Sequence, residues 1–196
     1  MIRLYCATGN PGKLREFQIA AGQAPVAIEL VPGFRELPPA VEDGATFEEN
    51  AVRKALHYSR HASGLLFADD SGLEVDALGG APGIHSARFA GPEATDEANN
   101  RLLIERLRGL PGGAFPFTAR FVCRIALVEG DRVAGVYSGK VEGLILEAAR
   151  GRGGFGYDPL FFHPPFVCTF GEADAARKFA VSHRGQALRA MLASLG

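Results

Sequence analysis

Cysteine is scarce and scattered in this chain: Cys6, Cys123 and Cys168 are the three, far apart and without a C-x-x-C pair. An odd, dispersed set argues against a disulfide framework and against a structural zinc site. Cys6 and Cys123 lie inside apolar runs, where a thiol serves as a small buried hydrophobe. Charge of one sign is lacking too. The formal net charge is −1 and no dense Lys/Arg block occurs, so no general attraction to nucleic acid or to an anionic membrane is expected. No apolar run reaches membrane-spanning length, and the opening "MIRLYCATGN" has no signal-peptide apolar region. These absences lead to the expectation of a cytoplasmic protein with neither nucleic acid nor membrane among its partners. Familiar catalytic signatures are missing as well. There is no H-E-x-x-H, Ser71 stands in D-D-S-G rather than in a G-x-S-x-G elbow, and no G-x-G-x-x-G follows the first apolar run. A zincin, a serine hydrolase and a simple dinucleotide enzyme are thereby disfavoured.

What is present has the composition of an ordinary globule, and 196 residues suffice for one domain over residues 1–196. Ile2–Ala7 and Val26–Val31 read as strands, with a helix over Gly12–Ala21 between them, where Leu14, Phe17 and Ala21 share a face. Three prolines make "PGFRELPPAVEDG" a loop. Thr46 and Glu49 form a capping box for a helix that Gly64 ends, and "LLFA" is a third strand running into "DDSG". Leu73 to Gly91 is rich in Gly and Pro, long for a plain connector and therefore a candidate functional segment. Thr95 caps a helix carrying Ala98, Leu102 and Leu107; alternation around "EGDR" marks a long hairpin; Ser182 caps a last helix with Leu188, Met191, Leu192 and Leu195. Strand–helix units followed by an antiparallel ribbon imply an α/β fold, a mixed sheet flanked by helices.

Three groups of residues carry chemistry. "TGNPGK" (Thr8, Gly9, Asn10, Pro11, Gly12, Lys13) leaves a strand and enters a helix, where free N–H groups and the helix dipole suit an anion. Its glycines are too close for a P-loop, and Leu14 stands where that motif needs a hydroxyl. The same residues also make a plain strand-to-helix turn. Glu42 and Asp43 precede a helix, while Asp69 and Asp70 stand at the end of "LLFA". Carboxylates beside phosphates call for a cation, and Mg²⁺ takes one or two carboxylates with phosphate oxygens and water; alternatively all four are turn or surface residues. "GGFGYDP" offers Phe155 and Tyr157 to a flat base and Asp158 as an acceptor, or is only a glycine-rich turn; His183 and Arg184 open the last helix.

In order, "TGNPGK", "ATFEENAVRKA", "ADDSGLEVDALGGAPGIHSARFAG", "GGFGYDPLF" and "SHRGQAL" resemble the inosine triphosphate pyrophosphatase family from Thr8 to Leu188. The resemblance implies hydrolysis of ITP, dITP and XTP to the monophosphate and pyrophosphate, which removes deaminated purines from the nucleotide pool. It also implies a Mg²⁺-dependent homodimer whose long mixed sheet and helices form two lobes around a nucleotide cleft. By position, Thr8, Asn10 and Lys13 would hold the triphosphate within the Gly9–Gly12 loop, and Glu42 and Asp70 the metal. Asp70 would accept a proton, or Asp69 beside it, and Ser71 would touch substrate. Phe155 would stack on the base, Gly156, Tyr157 and Asp158 would complete that wall, and Lys178, His183 and Arg184 would finish the base and sugar contacts. "FGEADAARKFAVSHRG" departs from the family pattern before Lys178, and Gly22 to Pro39 and Pro111 to Phe115 match poorly, so no role is carried onto the latter two. The rival readings are a pyrophosphatase for modified pyrimidines or dTTP, a non-catalytic nucleotide-binding regulator, and a P-loop-like ATPase.

Overall fold

The computed structural model describes residues 2–22 and 24–196. Seven strands pair in the order β2-β1-β3-β4-β5-β6-β7: β1 Ile2–Cys6, β2 Val26–Leu30, β3 Leu65–Val75, β4 Phe117–Glu129, β5 Arg132–Ile145, β6 Phe161–His163 and β7 Cys168–Thr169. The helices are α1 Pro11–Ala21, α2 Phe47–Ser59, α3 Asp96–Arg108, α4 Ala175–Val181 and α5 His183–Ala193. β1 is parallel to β2 and β3, whereas β6 is antiparallel to β5 and β7, so the sheet is mixed and helices flank it, as expected.

The chain forms two compact units. The first comprises Met1–Ser71, Cys123–Gly139 and Phe179–Gly196. Strand alternation sorts its core onto two faces. Leu4, Cys6, Phe67, Cys123, Ile125 and Leu127 pack with Phe17 of α1 and with Leu188 and Met191 of α5. Tyr5, Ala7, Leu66, Ala68, Ala126 and Val128 pack with Ala51, Ala55 and Tyr58 of α2. Each fully buried large side chain contributes about 1.5–3 kcal/mol of transfer free energy. Gly139 of β5 lets α5 approach closely: a Cβ there would stand 2.0 Å from the His183 carbonyl oxygen. The second unit comprises Gly72–Val122 and Lys140–Lys178, and its buried rings Phe121, Phe161, Phe170 and His163 form one aromatic cluster.

Two expectations shift. The helix after TGNPGK starts at Pro11, with Asn10 as its cap, because proline's fixed φ and missing N–H suit the first helical position. The third strand does not stop at "LLFA"; it runs on through Asp69, Asp70 and Ser71 to Val75. The capping box of α2 is present in altered form: Thr46 Oγ1 accepts from Glu49 N, but Glu49 Oε2 reaches Ala45 N.

Candidate active site

In the first unit the loop after β1 is shaped by its own polar side chains. Thr8 Oγ1 accepts from Asn10 N at 3.2 Å, and Asn10 Oδ1 accepts from Lys13 N at 3.1 Å. A hydroxyl and an amide can still donate while their oxygens accept, so both side chains combine loop-building with the capacity to hold an anion. In the first turn of α1, Pro11 has no N–H, and the Lys13 and Leu14 amides bond back to Asn10.

The strand continuation decides the carboxylates. Successive residues of β3 face opposite sides of the sheet, so Asp69 follows Phe67 toward α1 and α5, and Asp70 follows Ala68 toward α2. Asp69, 1% exposed, meets Lys13 Nζ at 2.9 Å and Arg184 Nε at 3.7 Å, and its Oδ2 also accepts from the Ser71 hydroxyl at 3.0 Å. Burial pushes its pKa up, but Lys13, Arg184 and Lys54 outweigh burial and hold it at about 2. Asp70 accepts from Asn50 Nδ2 at 3.0 Å and from Ser71 N at 3.0 Å. Here burial prevails over Lys54, Lys13 and Asn50 and raises the pKa above the ordinary carboxylate value. Two adjacent aspartates thus have opposite protonation tendencies.

Glu42 and Asp43 also diverge. Glu42 Oε1 pairs with the buried Lys54 Nζ at 3.0 Å, and the same ammonium donates to the Asp69 carbonyl at 3.1 Å. Burial disfavours the Lys54 charge, but Glu42, Asp69 and Asp70 together raise its pKa. Asp43 turns outward to an exposed pair with Arg53. Asn50 ties the loop of Glu42 to Asp70, because its Oδ1 accepts from Gly44 N at 2.8 Å.

At the start of α5, Ser182 Oγ accepts from Gly185 N at 3.1 Å. His183 is buried at the helix start. The Arg184 guanidinium lies in the carboxylate cluster, with Nη1 on Glu16 Oε2 at 3.0 Å and Nη2 on the Ser71 hydroxyl at 2.8 Å. Thr8, Lys13, Glu42, Asp69, Asp70, Ser71, His183 and Arg184 therefore belong to the first unit, and Phe155, Gly156, Tyr157, Asp158 and Lys178 to the second.

In the second unit Asp158 Oδ2 accepts from Lys178 Nζ at 2.5 Å and from Phe155 N at 2.9 Å. The Lys178 ammonium lies 5.4 Å from the Phe155 ring centroid, within cation–π range. Gly154 is required here: its φ is +72°, and a Cβ would stand 2.0 Å from the Asp158 carboxylate. The buried Tyr157 hydroxyl donates to the Ser86 carbonyl at 2.8 Å.

Reading the sequence gave no role to Lys54, Asn50, Glu16, Asp96 or Asn100. For Asn50 and Lys54 a signal existed: they are polar residues on the helical stripe Phe47, Ala51, Ala55, Tyr58 that α2 buries. Glu16 meets Arg184 from 168 positions away, and no local pattern reveals that.

Comparison with known proteins places the chain in a family. A model of the Ham1 family matches residues 4–194. A dITP/XTP pyrophosphatase of Thermus thermophilus is 50% identical over 97% of this chain and 90% of its own length. One from Exiguobacterium sp. is 45% identical over 99% and 97%. Among solved structures, a HAM1 protein from Coxiella burnetii superposes with a TM-score of 0.87 at 37% identity, covering 100% of this chain and 98% of that one. The Ham1 protein of Staphylococcus aureus gives 0.83 at 35%, covering 98% and 97%. On sequence and on fold alike, the chain belongs to the Ham1 family.

Proposed function

We propose that this chain hydrolyses deaminated purine nucleoside triphosphates (dITP, XTP and ITP) to the nucleoside monophosphate and pyrophosphate. The observation that carries the reading is the 2.9 Å pair between Lys13 of the anion loop and Asp69 of β3, which joins a phosphate grip to a carboxylate cluster. The names of the dITP/XTP pyrophosphatases that this chain resembles support the substrate class.

Phosphoryl chemistry of this kind depends on positioning and on neutralising charge. Thr8, Asn10 and Lys13 of the anion loop hold the phosphates. Asp70 accepts the proton of the attacking water: it is held by the neutral donors Asn50 Nδ2 and Ser71 N, whereas Asp69 is held ionised as the anchor of Lys13 and Arg184. Lys54 neutralises charge beside Glu42 and Asp70. The donor set fits Mg²⁺: among the described residues no three acidic, His or Cys side chains cluster tightly enough to cage a metal alone, and Mg²⁺ needs only one or two carboxylates with phosphate and water. Glu42 and Asp70 would hold it, and the ion would supply charge neutralisation at the phosphates. In the second unit Phe155 stacks on the base, with Gly156, Tyr157 and Asp158 around it. The Lys178 ammonium beside that ring donates to the C6 carbonyl that hypoxanthine and xanthine carry and adenine lacks. His183 and Arg184 back the cluster from the start of α5, and Ser71 supplies a hydroxyl. We place the enzyme in the cytoplasm as a homodimer on the strength of the family resemblance; sedimentation equilibrium tests the dimer.

The deciding experiment incubates ITP, dITP, XTP, GTP, ATP and dTTP with the enzyme and Mg²⁺, and measures orthophosphate with and without added inorganic pyrophosphatase. Orthophosphate that appears only with the added enzyme, and chiefly from ITP, dITP and XTP, is expected. Intact ITP would mean a binder, direct orthophosphate release an ATPase-like reaction, and preference for dTTP a pyrimidine enzyme.

A further inference from the structure

We infer that Asp96 and Asn100 of α3 are positioning residues for base recognition, acting as a clamp on Gly156. The inference rests on the substrate reading above and extends it to a helix that no part of that reading uses. Asp96 Oδ2 accepts from Gly156 N at 2.6 Å, and Asn100 Nδ2 donates to the Gly156 carbonyl at 3.0 Å. The two side chains stand four residues apart, hence on the same helical face. They engage both polar groups of a single residue.

Gly156 has φ +62°, and no atom lies within 4 Å of where a Cβ would be. Glycine is therefore there for its backbone conformation, not for space. A glycine left to itself samples many conformations, and Gly156 directly follows Phe155, the ring proposed to stack on the base. The clamp removes that freedom. With Asp158 holding Phe155 N at 2.9 Å, three side chains fix the backbone on both sides of the Phe155–Gly156 bond.

A carboxylate in the first turn of a helix already suits the helix dipole, so Asp96 would have a place on α3 without Gly156. Asn100, a full turn further on, has no such reason to be polar. The intervening Asn99 faces elsewhere and joins Ala87 and Ala90. α3 thus sends separate polar side chains to two loops.

The test measures ITP hydrolysis by Asp96→Ala, Asn100→Ala, Asp96→Asn and Asn100→Asp, together with amide exchange of the peptide containing Gly156. Loss of a hydrogen bond to a charged group should raise the KM for ITP by about tenfold in Asp96→Ala, with kcat within about twofold. Asn100→Ala should do the same, and exchange at Gly156 should speed up in both. Asp96→Asn keeps an acceptor oxygen and should restore KM to within about threefold. If the alanine variants do not fold, the isosteric pair decides: Asn100→Asp removes the donor and should raise KM, and Asp96→Asn should not. KM unchanged in the alanine variants, kcat falling at constant KM, or the reverse order in the isosteric pair would overturn the clamp. If wild-type enzyme leaves ITP intact, the substrate reading fails, and Gly156 exchange alone decides for or against the clamp.

Discussion

Asp69→Asn should destabilise this protein severely although it removes only a charge. The variant keeps the side-chain shape and its bond to the Ser71 hydroxyl, but it leaves the Lys13 ammonium and the Arg184 guanidinium facing a neutral amide at 2.9 and 3.7 Å. Two independent routes give the magnitude. A carboxylate held at about 2 instead of 3.8 contributes roughly 2–3 kcal/mol at neutral pH, at about 1.4 kcal/mol per tenfold change in proton affinity. Removing one partner from a buried ion pair costs about 3–5 kcal/mol. The retained Ser71 bond places the expectation near 3 kcal/mol, roughly 6–12 °C in Tm for a chain of this size. Because the folded pKa is depressed, this stabilisation is fully present above the unfolded value of 3.8 and is lost as pH falls through about 2. Thermal melts followed by circular dichroism at a series of pH values should therefore show a wide gap between wild type and variant at pH 7 that closes in strong acid. A Tm within about 2 °C of wild type at neutral pH, less than about 1 kcal/mol on the same scale, or a gap indifferent to pH, would refute the anchor role.

Gly139→Ala should lower stability by about 3 kcal/mol, the upper range for an overpacked site, since its Cβ would stand 2.0 Å from the His183 carbonyl and 2.8 Å from Ala187 N; a melt with unchanged Tm would contradict the close approach of α5. EDTA should abolish pyrophosphate release and Mg²⁺ should restore it. Glu42→Gln should move the Mg²⁺ activation midpoint upward by at least about tenfold, the usual effect of weakening a metal site, as read by titrating the ion into the steady-state assay.

Much of the fold was legible from periodicity and caps: β1, α2 and the β4–β5 ribbon follow their apolar patterns, and Thr46, Thr95 and Ser182 cap helices through their side chains. The length of β3 was not. Asp-Asp-Ser-Gly reads locally as a turn, and only partners from α1, α2 and α5 make two aspartates tolerable inside a buried strand. β6, β7 and α4 are too short to show a period. The candidate site was legible as residue types, but not the partners of each. Asp69 and Asp70 are adjacent in sequence, and the pleat turns one toward two cations and the other toward Asn50. The partners of the Arg184 guanidinium, Glu16, Ser71 and Asp69, come from distant parts of the sequence that no local pattern joins.

The division of labour between the two aspartates is the central claim, and Asp70→Asn tests it most directly. Asp70 accepts from Asn50 Nδ2 and from Ser71 N, and an amide can keep only one of these two bonds. Pyrophosphate release from ITP with saturating Mg²⁺ should fall at least about 100-fold, the scale of a lost general base, while the variant still folds with a cooperative melt lowered by about 1–3 kcal/mol of stability. Near-normal turnover by a folded Asp70→Asn protein would contradict the account.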